Sequence, residues 1–166
     1  MTRETKPKRQ APAFDPMDLP SRRGTSYPPA FQAECEGRVK RVLGDGVGLT
    51  RIGVNLVRLE PGAWSGQRHW HSHEDEFVYV LEGEITLATD AGEQVLTPGM
   101  AAGFPAGVAD GHCLINRGEA DAVYFEVGDR MHGDRVLYPD IDMIAEPLEE
   151  GDGTGRRFTN RKGEPF

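Results

Sequence analysis

One short stretch of the chain holds an unusual concentration of metal-binding side chains. Residues 69–83 read HWHSHEDEFVYVLEG, with three of the chain's five histidines in five residues, then three acids and an apolar segment. Imidazole nitrogen combined with carboxylate oxygen suits borderline divalent metals such as Fe, Mn, Ni, Cu and Zn. The stretch therefore predicts a site for one divalent metal ion.

The spacing within this stretch limits which side chains can meet. Alternation along an extended strand places His69, His71 and His73 on one face. Glu76 has the opposite parity, so it joins the histidines only if the chain turns within residues 72–75 and a new strand begins at Glu76. Parity alone leaves open which two of the three histidines bind.

The rest of the chain favours an all-β fold. The 21 glycines and 12 prolines punctuate short apolar runs, as in barrels and sandwiches. Helix signals are poor; residues 141–148 could form one or two helical turns before Pro147 ends them. The predicted strands are residues 38–43, 51–59, 69–73, 76–81, 85–89, 93–97, 100–104, 112–116, 121–127 and 135–138.

The length of 166 residues fits one domain with a sizeable core. We predict that the barrel occupies residues 31–145. Residues 1–30 contain half of the prolines and few apolar side chains, which predicts a flexible arm. Residues 146–166 are predicted to be a polar tail on the surface.

Charge and composition exclude several classes of partner. The net charge is −8; residues 1–30 carry six basic and three acidic side chains, so the remaining 136 residues are at −11. An acidic body argues against nucleic-acid binding. Apolar runs long enough for a membrane span or a signal peptide are lacking, which predicts a cytoplasmic protein. Cys35 and Cys113 lack a CxxC spacing and are expected to be reduced thiols.

Two motifs give the chain a resemblance to a known family. The stretch fits the pattern G(X)5HXH(X)3,4E(X)6G through His69, His71, Glu76 and Gly83, with Gly62 one residue too far upstream. This is the first motif of the cupin superfamily of small β-barrels.

The second cupin motif, G(X)5PXG(X)2H(X)3N, is matched by Gly99, Pro105, Gly107, His112 and Asn116. Four residues instead of two separate Gly107 from His112, which lengthens the loop beside the expected metal. Together the motifs span residues 62–116, and the flanking strands extend the likeness to about 38–128.

The resemblance implies a double-stranded β-helix, or jelly-roll, barrel with one metal ion inside its mouth. Carried over position by position, it implies His69, His71, Glu76 and His112 as the metal ligands, although cupins without a metal also exist. Three histidines and one glutamate leave coordination positions open for a small oxygenated metabolite, water or dioxygen. Dioxygenase, isomerase or lyase chemistry is expected. Glu76 is a candidate for a second role, as a proton acceptor. The alternative is a non-catalytic sensor or storage module that binds a small molecule or metal.

Other residues each have two interpretations. His73 could replace His71 as a ligand, but the motif spacing favours a place at the rim. Asp110 could be an acid or base facing the cavity or, more in keeping with its type, a turn cap. Cys113, on the opposite parity from His112, is expected to be buried. Arg58 and Arg68 could hold a carboxylate or phosphate near the mouth, or simply be solvated.

Apolar and aromatic residues beside the histidines suggest packing partners. Trp70 is expected to pack behind the metal strand, and Phe77 and Tyr79 against a second sheet or a neighbouring subunit. Barrels with apolar outer positions commonly pair through their edges, so we expect a homodimer that acts on a small-molecule substrate.

Overall fold

The computed structural model describes residues 12–148 and 155–166, and this part of the chain is mostly β-structure. One short helix, α1 (Leu43–Gly46), and three 3-10 turns interrupt the strands. The strands of the described residues are β1 (Ser21–Arg23), β2 (Arg38–Val42), β3 (Ile52–Leu59), β4 (Trp70–His71), β5 (Glu76–Glu82), β6 (Ile85–Thr89), β7 (Gly92–Leu96), β8 (Ala101–Phe104), β9 (Cys113–Ile115), β10 (Ala122–Asp129), β11 (Val136–Tyr138), β12 (Met143–Pro147) and β13 (Arg156–Thr159).

These strands form three antiparallel sheets. The orders are β1-β2-β3-β10-β5-β8, β13-β12-β11-β4 and β7-β6-β9. The main core lies between the six-stranded and the three-stranded sheets, where alternate residues of β3, β5 and β10 meet those of β6, β7 and β9. Tyr124, Leu59 and Ile85 are among its fully buried members. The all-β jelly-roll prediction is confirmed.

A second, smaller core lies under the four-stranded sheet. Val136, Tyr138, Met143 and Ala145 are its buried members, and Tyr27 is one of the partly buried side chains that pack against it. The ring of Tyr27 meets that of Tyr138 edge-on at 5.7 Å. A residue of the Pro-rich arm therefore contributes to this second core.

Strand pairing extends beyond residues 31–145 on both sides. β1 of the arm pairs with β2 of the barrel, and β13 of the tail pairs with β12; Thr159 at the end of β13 is buried. The division into arm, barrel and tail stays a prediction; its calls on residues 1–11 and 149–154 fall outside the described residues.

The helical turns considered for residues 141–148 are not formed. Met143–Pro147 is strand β12, which is paired to β11 on one side and to β13 on the other. Two ladders of hydrogen bonds outweigh a helix of one or two turns, which is marginal on its own. Pro147 stands at the strand's end, where its missing N–H costs least.

The hairpin after β5 requires the motif glycine. Gly83 has a φ of +72°, and a Cβ there would lie 2.6 Å from the backbone oxygen of Asp121. A side chain at this position would be strained and would clash with the backbone.

Phe77 and Tyr79 point away from the core. They are 46% and 40% exposed and alternate along β5 with the buried Val78 and Val80. Packing of these two rings against a second sheet is therefore wrong for the single chain, because they occupy the outer parity of the strand. The homodimer suggested by these positions stays a prediction. None of the helices in the described residues has the length and hydropathy of a membrane span.

Candidate metal centre

Short backbone contacts bring the two motifs together. His69 and His112 exchange backbone hydrogen bonds, N–H to O, of 3.1 and 2.8 Å across an isolated antiparallel bridge. The predicted strand over residues 69–73 is thus only β4 flanked by this bridge. The longer loop before His112 does not displace it, because the bridge fixes its backbone directly opposite His69.

Three imidazole rings converge on a single carboxylate oxygen. The Nε2 atoms of His112, His71 and His69 lie 2.8, 3.3 and 3.7 Å from Oε2 of Glu76. Donor atoms of His69, His71 and Glu76 all lie within 4.8 Å of one another. His112 joins this group through its contact with Glu76, so the structure brings together all four side chains that the sequence singled out.

The outer nitrogens of two rings are held by acceptors. Nδ1 of His69 lies 2.7 Å from the backbone oxygen of Gln67, and Nδ1 of His71 lies 2.7 Å from Oδ2 of Asp134. Both partners can only accept, so each Nδ1 donates and each Nε2 is directed at the centre. Such outer hydrogen bonds orient imidazoles that bind metals.

Asp134 is the supporting residue that sequence reasoning missed. Its side chain is fully buried, and Arg156 donates to it at 2.9 Å through Nη2. The backbone N–H of His73 donates to its other oxygen at 2.9 Å. Burial alone would raise the pKa of Asp134, but the hydrogen bonds from His71 and His73 and the charges of His71 and Arg156 lower it. No local spacing links residue 134 to residue 71; only the pairing of β11 with β4 brings them together.

His112 is held by stacking instead. The ring of Phe104 lies parallel to it at 3.6 Å between centroids, and its buried Nδ1 has no hydrogen-bond partner among the described residues. Burial lowers the pKa of His112, so the ring is kept neutral, as a metal ligand must be.

The electrostatics of the cluster suit a cation. Burial would raise the pKa of Glu76, but hydrogen bonds from His112, His69 and His71 hold it well below its usual value. Without a metal, burial would lower the pKa of His71, yet hydrogen bonds with Asp134 and Glu76 raise it to about 10. The carboxylate is therefore ionised and attracts a proton to a neighbouring ring. A divalent metal would replace that proton, and three imidazoles with one carboxylate form a donor set that fits it.

A second acidic cluster nearby is not equivalent. His71, Glu74 and Asp134 also lie within ligand distance of one another. Nη2 of Arg156 lies 3.4 Å from Glu74 and 2.9 Å from Asp134. The guanidinium neutralises this cluster, which makes it less suited to a metal ion than the group formed by His69, His71 and Glu76.

The centre opens into a cavity of about 560 Å³. The side chains of His69, His71, Glu76 and His112 line one part of its wall. Basic residues from the first two strands and from β13 line another part; these are Arg22, Arg23, Arg38, Lys40 and Arg156.

Two basic residues considered for the mouth lie elsewhere. Arg68 donates to Asp140 through two 2.7 Å hydrogen bonds and also pairs with Asp90. Arg58 pairs with Asp121. Neither lines the large cavity, because both side chains are directed into these ion pairs.

The remaining candidates occupy supporting positions. His73 is exposed, and its Nδ1 lies 2.7 Å from Oγ of Ser72. Asp110 accepts a 2.8 Å hydrogen bond from the backbone of Asp90, which is a turn-stabilising contact, although it also lines a small cavity of about 70 Å³ beside His112. Cys113 is a buried free thiol, as is Cys35. The motif residue Asn116 is fully buried and donates to the backbone of Leu59 and Ala120.

A family model and several solved structures are similar to this chain. Residues 55–128 match the family model described as Cupin domain. A crystal structure of a sugar phosphate isomerase from a cupin superfamily, from Silicibacter pomeroyi, is 42% identical, with a TM-score of 0.87 over 93% of this chain and 96% of that chain. A putative sugar phosphate isomerase from Acidithiobacillus ferrooxidans is 32% identical, with a TM-score of 0.67 over 78% of this chain and 80% of that one.

More distant structures share the fold alone. The polyketide cyclase RemF from Streptomyces resistomycificus is 20% identical, with a TM-score of 0.59 over 72% of this chain and 80% of that one. No curated protein matches the chain in sequence. Both motifs, the topology and the 42% identical structure agree, and the chain belongs to the cupin superfamily.

Proposed function

We propose that this protein is a metal-dependent isomerase of small phosphorylated sugars, with one divalent metal held by His69, His71, Glu76 and His112. The observation that carries the proposal is the shared cavity: the imidazole and carboxylate cluster and a group of basic side chains line the same volume of about 560 Å³. A sugar phosphate offers sugar oxygens to a metal held by the imidazole and carboxylate cluster, and it offers a phosphate anion to the basic side chains.

The metal, when bound, would act as a Lewis acid that polarises a substrate oxygen. The imidazoles of His69 and His71 are oriented by Gln67 and Asp134, so the ligands are set before substrate arrives. The low pKa of Glu76 keeps its carboxylate ionised, as both a ligand and a proton acceptor require. The same low pKa makes the ligand role the stronger one, because a weakly basic carboxylate is a poor proton acceptor.

Two observations favour isomerase chemistry over dioxygenase and lyase chemistry. Structures named as a sugar phosphate isomerase and a putative sugar phosphate isomerase resemble the chain at 42% and 32% identity. The basic residues in the cavity suit a phosphorylated substrate.

The test follows proton exchange. Metal-loaded protein is incubated in D2O with paired aldose and ketose phosphates, and proton NMR records interconversion and deuterium uptake beside the carbonyl. We expect both in the wild type, neither with Glu76→Gln, and both with Glu82→Gln, which removes an exposed acid from the same strand.

Other outcomes would contradict the proposal. Binding of sugar phosphates without interconversion or deuterium uptake would identify a non-catalytic binding module. Oxygen consumption with a catechol, diketone or thiol, in place of isomerisation, would identify a dioxygenase.

A further inference from the structure

The register of the six-stranded sheet places two basic residues of β2 on its inner face. Directly paired residues of neighbouring strands project to the same side. Arg38 pairs with Leu59, and Lys40 pairs with Val57, and both of these apolar partners are fully buried in the main core. Arg22 of β1 pairs with Lys40 and so extends this basic row to the cavity mouth.

The cations of this row are incompletely paired. Among the described residues their one ion-pair partner is Glu126, which lies 3.7 Å from Arg38 and 3.6 Å from Lys40. Nε of Arg38 is buried with no hydrogen-bond partner in this part of the chain. Only 13% and 26% of the two basic side chains are exposed. Partly buried charged donors whose hydrogen bonds are incompletely satisfied cost free energy that a bound anion would recover.

Positive charge is in excess at this end of the cavity. Glu126 is a single carboxylate facing two cations, and it also accepts a 2.9 Å hydrogen bond from Asn55. Arg22 adds an exposed third cation. One carboxylate therefore leaves surplus charge in the row.

The other basic residues that line the cavity are already paired. Arg156 contacts Asp134 and Glu74, and Arg23 donates two hydrogen bonds to Glu60. The surplus positive charge in the cavity thus belongs to the row formed by Arg22, Arg38 and Lys40.

We infer that Arg38 and Lys40, with Arg22 at the mouth, form the subsite for the phosphate group of the substrate. The inference rests on the proposed function for the identity of the whole substrate. The planar guanidinium of Arg38 suits two phosphate oxygens, and the ammonium of Lys40 adds a compact charge. Placement in the same cavity as the histidine cluster lets one small molecule reach both.

The experiment measures affinity, not turnover. Inorganic phosphate is titrated calorimetrically into full-length, metal-loaded wild type, Arg38→Met and Lys40→Met, with metal content and circular dichroism matched. Each variant should bind phosphate roughly 10- to 100-fold more weakly, because hydrogen bonds to charged groups carry that much affinity. Arg38→Lys, which keeps the charge and disturbs the fold less, should fall in between.

Arg41→Met is the matched control. Arg41 lies on the same strand with opposite parity to Arg38 and does not line the cavity. Its Nε is also buried and has no acceptor within residues 12–148 and 155–166. Phosphate affinity in this variant should stay within about twofold of the wild type. Equal weakening in Arg41→Met and Arg38→Met would overturn the subsite, as would a wild type that binds no phosphate.

A variant that should raise phosphate affinity separates an effect on binding from an effect on folding. Glu126→Gln removes the carboxylate that competes with phosphate for Arg38 and Lys40, so phosphate affinity should rise. A purely structural role for the row predicts no gain. Weaker phosphate binding in the Arg38 and Lys40 variants without isomerase activity in any assay would support the subsite and refute only the proposed reaction. Isomerase activity with unchanged phosphate affinity in these variants would refute only the subsite.

Discussion

Two carboxylates face the same cavity from neighbouring strands, and their surroundings differ completely. Glu76 at the start of β5 meets three imidazoles, the nearest at 2.8 Å. Glu126 on β10 meets an ammonium and a guanidinium at 3.6 and 3.7 Å. Both have lowered pKa values in spite of burial, Glu76 through imidazole hydrogen bonds and Glu126 through the charges of Lys40 and Arg38.

The difference in surroundings indicates different roles for the two carboxylates. Three imidazoles surround Glu76 as possible co-ligands of a metal, so the surroundings of Glu76 suit a cation. Lys40 and Arg38 outnumber the carboxylate of Glu126 and repel a metal ion, so the surroundings of Glu126 suit an anion. One face of the sheet thus offers a single ligand one end that suits a cation and another end that suits an anion.

Exchanging Glu76 for Gln should have the largest effect. The amide removes the charged ligand, and metal affinity should fall by more than about 100-fold, since loss of an outer partner alone costs 10- to 100-fold. Competition with a chromogenic chelator measures this affinity. Glu126→Gln is the control and should hold the metal as the wild type does; similar losses in both would erase the distinction between the two ends.

Asp134→Asn should weaken metal binding by roughly 10- to 100-fold. The amide no longer supplies the negative charge that orients and polarises His71 from 2.7 Å. The same chelator competition applies, and Asp110→Asn, whose carboxylate accepts from a loop amide, should change little. Normal affinity in Asp134→Asn would show that the histidines are oriented by their strands alone.

The charge of Glu126 should be visible in acid unfolding. Its pKa is lowered in the folded protein, so its stabilising contribution is present above its unfolded pKa of about 4.3 and is lost as pH falls through the lower folded value. Urea unfolding should therefore show Glu126→Gln less stable than the wild type at pH 7, with the gap narrowing below about pH 4. A constant gap would mean that Glu126 stabilises by shape and not by charge.

Ion pairs outside the cavity should matter least. Arg58 and Asp121 are 41% and 42% exposed, so Arg58→Ala should change the free energy of unfolding by no more than about 0.5 kcal/mol. Urea unfolding of Arg58→Ala and of the wild type measures this change. A loss well above about 0.5 kcal/mol would contradict the view that the outer ion pairs contribute little.

Local spacing is what made the metal end predictable from sequence. His69, His71 and Glu76 lie within eight consecutive residues, and His112 is tied to Asn116 by the second motif. These positions depend on strand alternation and one turn, which a sequence carries directly.

The anion end and the supporting acid depend on pairing between distant strands. Glu126 meets Lys40 only because β10 and β2 both pair with β3. Arg38 and Lys40 did carry one signal, since their i, i+2 spacing puts two cations on one face of a predicted strand. Asp134 carried none. β12 was open to a helical interpretation because its own short apolar run does not show that β11 and β13 pair with it on both sides.

Metal content of protein purified without a polyhistidine tag tests the central claim most directly. His69→Ala and His73→Ala each remove one imidazole from the same run, but only His69 faces Glu76, and His73 is exposed. We predict about one divalent metal ion per chain in the wild type and in His73→Ala, and a loss of that ion in His69→Ala. A wild type without stoichiometric metal, or a His69→Ala variant that retains it, would contradict the metal centre.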